Sequence, residues 1–77
     1  MVAKLSVILV KQDNGSYFAL CPDIKGCYTQ GDTFDDALAM IKELAEFTIE
    51  EYDDDDKDYL MRLSNKPKVF SEVEVNI

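Results

Sequence analysis

The stretch from Tyr17 to Thr33 constrains the fold of this chain more than any other part of the sequence. It begins with an apolar strand, Tyr17 to Cys21, which must stop at Pro22 because proline has no N–H for a strand ladder. Gly26 suits the corner that follows, since glycine adopts a positive φ without steric cost. Cys27 to Gln30 then forms a short third strand, so this stretch predicts two strands joined at a tight corner.

A first strand is predicted just before this stretch. The run from Leu5 to Val10 is almost continuously apolar, which is typical of a strand covered on both faces and central in its sheet. The Asn14-Gly15 pair is a strong hairpin signal, because the type I′ turn needs positive φ at both central residues. The first two strands are therefore expected to pair antiparallel.

One long helix follows the third strand. Asp32 or Thr33 is the expected cap, and Asp35 and Asp36 in the first turn suit the positive end of the helix dipole. The apolar positions from Phe34 to about Tyr52 recur at i, i+3, i+4 and i+7, which predicts an amphipathic helix lying on a sheet. They are Phe34, Ala37, Leu38, Ile41, Leu44, Ala45, Ile49 and Tyr52.

The last third of the chain predicts an acidic loop and a final strand. Asp53 to Asp56 should end the helix, because negative charge is unfavourable at a helix C-terminus. Val69 to Ile77 alternates between apolar and polar residues, as a half-exposed strand does. The predicted order is β-β-β-α-β, with a right-handed crossover that places the last strand beside the first. The fold class is α+β, with sheet order 3-2-1-4 and one long helix on one face.

The other face of that sheet is expected to lack a cover. Apolar side chains for it come from the first two strands: Ile8, Val10, Phe18 and Leu20. A sheet with an uncovered apolar face predicts self-association, as a dimer or larger homo-oligomer.

The composition limits the kinds of partner that this chain is expected to bind. The 77 residues form one domain and carry 16 Asp and Glu against 8 Lys and Arg, a net charge of -8. Such a field repels nucleic-acid backbones and anionic membranes and speeds encounter with a basic protein, although acidity also simply keeps a small protein soluble. The N-terminus contains neither a signal peptide nor a membrane span, so a cytoplasmic protein is expected.

The numbers of cysteine and histidine residues argue against a structural zinc site and against catalysis with a histidine base. Cys21 and Cys27 are too few for a structural zinc site, and the absence of histidine removes the commonest catalytic base. We expect no metal, no cofactor and no catalytic residue. The two cysteines suit buried free thiols, and a bridge across the corner is the alternative.

The opening stretch closely resembles the HicB-like antitoxin family. That family has an aromatic strand, a Cys-Pro-Asp-Leu-Pro-Gly-Cys type of corner, and a Gly-Asp-Thr helix start followed by acidic residues and alanine. The resemblance covers about residues 3 to 50, and this chain departs from it at Lys25, where proline is usual. The matching residues are Tyr17-Phe18-Ala19-Leu20-Cys21-Pro22-Asp23-Ile24-Lys25-Gly26-Cys27, Gln30-Gly31-Asp32-Thr33 and Ala37.

The resemblance implies a partial ribonuclease H-like fold and a role as a type II antitoxin. Its partner would be a small basic HicA-like toxin, an mRNA-cleaving ribonuclease whose active site the antitoxin covers. Many members carry a further DNA-binding module, which is not expected within residues 1–77, and direct nucleic-acid binding is not expected either. Cys21, Pro22, Asp23, Gly26, Cys27, Gly31, Asp32 and Thr33 are interpreted as structural.

Candidate partner contacts lie on the helix: Asp35, Asp36, Met40, Glu43, Glu46 and Phe47. Met40 and Phe47 widen the apolar arc of the helix, and they either pack under a neighbouring loop or belong to a protein interface. Two other functions remain open. One is an oligomeric scaffold or regulator without a toxin. The other is a metal-dependent nuclease using Asp23, Asp32, Asp35 and Asp36, against which the run from Leu5 to Val10 offers no carboxylate.

Overall fold

Three β-strands precede two α-helices in the computed structural model, which describes residues 2–77. The fold is therefore α+β, as predicted. None of the described helices is long and apolar enough to cross a bilayer. In chain order the elements are β1 (Ile8–Lys11), β2 (Tyr17–Leu20), β3 (Tyr28–Gly31), α1 (Phe34–Glu50) and α2 (Asp54–Ser64).

The strands form an antiparallel meander in the order β1-β2-β3. At the first turn Gly15 has a φ of 88°, and its N–H donates to the Gln12 carbonyl at 2.9 Å. Ala19 at the centre of the sheet lies opposite Leu9 on one side and Thr29 on the other. The predicted hairpin and the predicted pairing of the three strands are therefore confirmed. The turn is not of type I′, because Asn14 does not have a positive φ.

Helix α1 covers one face of this sheet. Thr33 is its N-cap, and the Thr33 hydroxyl accepts a hydrogen bond from the Asp36 N–H at 3.1 Å. The helix ends at Glu50, two positions before the predicted end. Its inward side meets the strands and the corner in one core cluster of buried residues: Ala19, Cys21, Ile24, Cys27, Ala37, Ile41 and Ala45.

The start of α1 lies very close to β3. Gly31 is the last residue of β3, and a Cβ built on it would lie 2.5 Å from the Ala37 nitrogen and 2.8 Å from the Ala37 Cα. Ala37 is itself fully buried. Glycine at position 31 therefore allows the helix backbone to approach the strand directly.

The prediction of a single helix followed by an acidic loop was wrong. The aspartate run opens a second helix, because Asp53 caps it by accepting from the Asp56 N–H at 2.8 Å. The other aspartates then lie in the first turn of α2, where the helix dipole favours negative charge. Arg62 in the last turn pairs with Asp58 one turn earlier, and Leu60 is buried.

The predicted fourth strand was also wrong. Residues 69–77, called the arm here, have no regular secondary structure, so the predicted order 3-2-1-4 reduces to the three strands described above. Val69, Val73 and Val75 are at least 72% exposed. The alternating pattern favours an extended strand, but a strand forms only where it pairs with another, and the arm pairs with none of the three strands.

Because that strand does not form, β1 lies at an edge rather than at the centre of the sheet. Within residues 2–77 it pairs with β2 alone. The run from Leu5 to Val10 was predicted to be covered on both faces, yet regular pairing begins only at Ile8, opposite Leu20. Ile8 and Val10 are 42% and 51% exposed. Their face of the sheet is uncovered.

Candidate partner-binding surfaces

The corner between β2 and β3 is held by its own backbone. The Cys21 N–H donates to the Cys27 carbonyl at 2.9 Å, and the Ile24 N–H donates to the Cys21 carbonyl at 3.2 Å. Gly26 has a φ of 72°, the left-handed conformation that glycine adopts readily. Ile24 is buried beneath the corner. These contacts give the corner residues a structural role.

Asp23 ties the corner to the chain before β1. Its carboxylate accepts a hydrogen bond from the Ser6 N–H at 2.8 Å. This charge-assisted bond satisfies a backbone donor that has no strand partner and fixes the segment that leads into β1. The Asp23 carboxylate is therefore engaged in holding the fold.

Cys21 and Cys27 are free, buried thiols. Burial raises the pKa of the Cys21 thiol above its ordinary value of 9.0, and the neighbouring Cys27 raises it further. Burial also raises the pKa of Cys27, against a smaller opposing effect of a hydrogen bond with Cys21. Both side chains are therefore neutral, apolar parts of the core near neutral pH.

We expect both thiols to react slowly in the folded protein. The thiolate is the reactive form, so alkylation by iodoacetamide at pH 8 should be on the order of tenfold or more slower than in urea. A Ser71→Cys variant provides an exposed thiol on the arm as an internal control, because Ser71 is exposed. Mass spectrometry should show the thiol introduced on the arm modified first, and equal rates at all three cysteines would contradict the buried placement.

The same pKa shifts predict how alkali affects stability. A raised pKa in the folded state means that the folded chain retains protons that the unfolded chain releases. The stabilising contribution is fully present below the ordinary value of 9.0 and is lost as the pH rises through the raised values. The free energy of unfolding should therefore decrease at alkaline pH, which urea denaturation at a series of pH values measures.

Four of the six predicted contact residues lie on one side of α1. Asp36, Met40, Glu43 and Phe47 follow at intervals of four, three and four residues, which places them on a single stripe of the helix. We call this stripe the β3 flank, because its first three members line a shallow cleft of about 320 Å³ beside Gln30 to Asp32. Met40 and Phe47 are 43% and 64% exposed, so neither packs under a loop.

The other two predicted contact residues lie on the opposite side of the same helix. Asp35 and Glu46 line a larger groove of about 1010 Å³ between α1, the segment before β1, and α2. The six candidates therefore do not form one surface. The β3 flank brings together four of them, two carboxylates and two exposed apolar side chains, in one stripe.

The uncovered sheet face is a second exposed apolar surface. Strand alternation turns Ile8, Val10, Phe18 and Leu20 away from Ala19, which contacts α1. Tyr28 joins them opposite Leu20 and stacks on Phe18, with ring centroids 5.9 Å apart. This is the face expected from the sequence to lack a cover.

The acidic charge is almost uncompensated by ion pairs. Across residues 2–77 the structure contains one salt bridge, between Arg62 and Asp58 in α2. The remaining carboxylates on α1 and at the start of α2 are exposed. An excess of unpaired negative charge at a surface attracts a basic macromolecule and accelerates its association.

The carboxylates proposed for a nuclease site do not assemble into one. No cluster of three or more His, Cys, Asp or Glu suited to a metal ion occurs among the described residues. Asp23 is bonded to Ser6, while Asp36 belongs to the β3 flank and Asp35 to the groove on the other side of α1. Asp23 therefore supports the fold, and Asp32, Asp35 and Asp36 lie exposed at the surface.

Neither the groove nor α2 was predicted from the sequence. Leu60 and Met61 of α2 line the groove together with Leu38 and Ile41 of α1. The signal was present, because Asp53 stands three residues before Asp56 and can therefore cap a new helix. It was interpreted as the end of one helix instead.

Comparison with known proteins identifies the family. The family described as HicB_like antitoxin of bacterial toxin-antitoxin system matches residues 6–73, which confirms the resemblance noted in the sequence and extends it into the arm. No solved structure gives a significant match.

The curated relatives have descriptive names only. A UPF0150 protein of Synechocystis is 49% identical over 45 residues, 58% of this chain and 57% of the relative, so the match spans little more than half of that protein. A UPF0150 protein of Helicobacter pylori is 35% identical over 71 residues, 92% of this chain and 93% of the relative. One of Thermoplasma acidophilum is 43% identical over 47 residues, 61% of this chain and 68% of the relative.

Proposed function

The chain belongs to the HicB-like antitoxin family, and we propose that it neutralises a small, basic, HicA-type mRNA-cleaving ribonuclease by covering the toxin's active site. The observation that carries this proposal is the net charge of -8 on a surface with one ion pair among the described residues. A ribonuclease binds a polyanion and is therefore positively charged where it binds RNA. A negatively charged protein surface competes for that site.

The β3 flank is the surface that we propose to contact the toxin. Interface centres combine exposed apolar anchors with a charged surround, and here Met40 and Phe47 would supply the anchors. Asp36 and Glu43 flank Met40 on the same stripe. These carboxylates would pair with basic side chains that otherwise hold the RNA backbone.

Co-expression with the product of the neighbouring open reading frame tests the function. We expect that product to be short and basic, to arrest growth when expressed alone, and to be tolerated when this chain is expressed with it. A tagged copy of this chain should also retain it through purification. Arrest that persists on co-expression, together with no recovered complex, would contradict the antitoxin function and favour a scaffold without a toxin.

Charge reversal on the β3 flank should weaken toxin binding. The double change Asp36→Lys and Glu43→Lys places positive charge where the toxin's cations would lie, and we expect a loss of affinity of about tenfold or more. Isothermal titration or biolayer interferometry against the purified toxin measures this. Growth rescue should fall in parallel.

The opposite side of α1 provides a matched control. Asp35→Lys with Glu46→Lys changes the net charge by the same amount, but both positions line the groove. If long-range attraction alone governs binding, the two double variants lose affinity equally. Equal losses would therefore reject the β3 flank as the contact surface and leave the antitoxin function standing.

A further inference from the structure

Strand β3 has a free backbone edge. It pairs with β2 on one side, and no other strand in the described part of the chain pairs with its outer side. The Cys21 N–H donates to the Cys27 carbonyl, and backbone bonding alternates along an antiparallel pair. Thr29 therefore directs its backbone N–H and carbonyl towards β2, whereas Tyr28 and Gln30 direct theirs outward. These outward groups can pair with a further extended chain.

The shallow cleft of about 320 Å³ opens beside this edge, between the end of β3 and α1. Asp32, Asp36 and Glu43 line it and are exposed, and none of the residues that line it is basic. The one salt bridge among the described residues lies in α2, so none of these three carboxylates is paired. A side chain that enters the cleft therefore meets uncompensated negative charge.

The alternation of side chains in a strand connects the free edge to the cleft. Ala19 contacts α1 from β2, and Thr29 lies opposite Ala19, so Thr29 and Gly31 lie on the α1 side of the sheet. In a chain added to β3, the residues opposite Thr29 and Gly31 would lie on that same side, at the cleft. Every second side chain of an added chain would therefore reach the carboxylates.

Given the proposed function, on which this inference rests, we propose that an extended segment of the basic toxin adds to the outer edge of β3 as a further strand. Alternate Lys or Arg side chains of that segment would lie in the cleft. Backbone bonds to Tyr28 and Gln30 would supply affinity, and the carboxylates would select basic residues at alternate positions. The toxin segment is thereby assigned a conformation and a charge pattern.

The charge of the cleft selects this occupant over a second copy of the chain. With a net charge of -8, a second copy would bring like charge to the three carboxylates. Its arm carries Glu72 and Glu74 at alternate positions, where the cleft favours cations. The base of the arm also lies beside the segment that leads into β1, the strand at the opposite edge, because the Lys68 Nζ lies 3.5 Å from the Lys4 carbonyl oxygen.

Two substitutions at Gln30 test the strand pairing. Gln30→Pro removes the outward N–H and places a ring at the edge, whereas Gln30→Ala keeps the N–H. Both lose the hydrogen bond that the Gln30 amide donates to the Ser16 hydroxyl at 3.0 Å, so that loss cancels in the comparison. By isothermal titration against the purified toxin, we expect Gln30→Ala to bind within about threefold of the unsubstituted chain and Gln30→Pro about tenfold or more weakly. Equal affinities of the two variants would overturn the proposal.

Amide exchange on the unsubstituted chain tests the same pairing without any variant. Toxin binding should slow exchange of the Tyr28 and Gln30 N–H groups by about tenfold or more, measured by NMR on the isotope-labelled chain. The Leu9 N–H is the matched control. It points outward from β1, because the Gln12 N–H donates to the Ser16 carbonyl and the bonding alternates. Slower exchange at Leu9, with no change at Tyr28 and Gln30, would place the contact at β1 and overturn the proposal.

The outcomes separate this inference from the proposed function. A complex that forms and restores growth, but leaves exchange at Tyr28 and Gln30 unchanged, would overturn the strand pairing and leave the antitoxin function standing. No complex, with growth still arrested on co-expression, would contradict the proposed function and this inference with it.

Discussion

Replacing Gly31 by alanine should lower the melting temperature by about 10–20 °C, because overpacking against rigid backbone costs about 3 kcal/mol and each kcal/mol shifts a domain of this size by about 4–8 °C. The added methyl would lie 2.5 Å from the Ala37 nitrogen, a separation that no Cβ tolerates. The neighbouring atoms belong to the helix backbone. Relief therefore requires moving the first turns of α1 away from β3, and calorimetry measures the resulting loss.

Gly26→Ala is the matched control for this prediction. It changes a glycine of the same motif in the same way, but a Cβ there meets nothing within 4 Å. Its cost comes only from the φ of 72°, about 1–2 kcal/mol for a residue with a side chain. If Gly26→Ala proves as damaging as Gly31→Ala, close approach of helix and strand is not the reason for glycine at position 31.

Replacing Ile41 by alanine should be the most destabilising truncation in α1. Ile41 is 1% exposed and lies in the core cluster with Ala19 and Ile24. Truncation removes buried methyl groups and leaves a cavity, at a cost of about 2–5 kcal/mol. Urea denaturation followed by circular dichroism measures this as a lower midpoint.

Met40→Ala is the appropriate comparison, since it truncates the preceding residue on the exposed β3 flank. We expect it to change the free energy of unfolding by less than about 1 kcal/mol. It should nevertheless weaken binding to the toxin. Ile41→Ala should show the reverse pattern, with affinity retained wherever the variant is still folded, so the two substitutions separate the core of α1 from its binding side.

Local signals in the sequence predicted the first two thirds of the fold well. The Asn14-Gly15 turn sets the first strand pairing, and Pro22 with Gly26 sets the corner, since each restricts the backbone through its own stereochemistry. Thr33 caps α1 as expected. These features depend on residues near one another in the chain, which a sequence displays directly.

Features that depend on tertiary context were not predicted. The aspartate run is unfavourable at the end of one helix and favourable at the start of the next, and composition alone does not distinguish these positions. The hydrogen bond from the Asp56 N–H to the Asp53 carboxylate shows that the run lies at the start of a helix. Likewise, the pattern of the arm indicates a strand but contains no information on which edge, if any, pairs with it.

The candidate contact residues were predicted as a set, and the structure divides them. Helical spacing places Asp36, Met40 and Glu43 together, and this follows from periodicity alone. Asp35 is close to them in sequence but lies on another side of the helix, in a groove that the segment before β1 and α2 also line. The groove was not predicted, because the first residues of α2 were expected to form a loop.

The position of the core along the chain has a consequence for folding. All seven residues of the core cluster lie between Ala19 and Ala45, so no residue of the arm takes part in it. Closing contacts over these sequence separations costs less chain entropy than bringing the distant arm onto the core would. The core can therefore form without the arm having a fixed place on it.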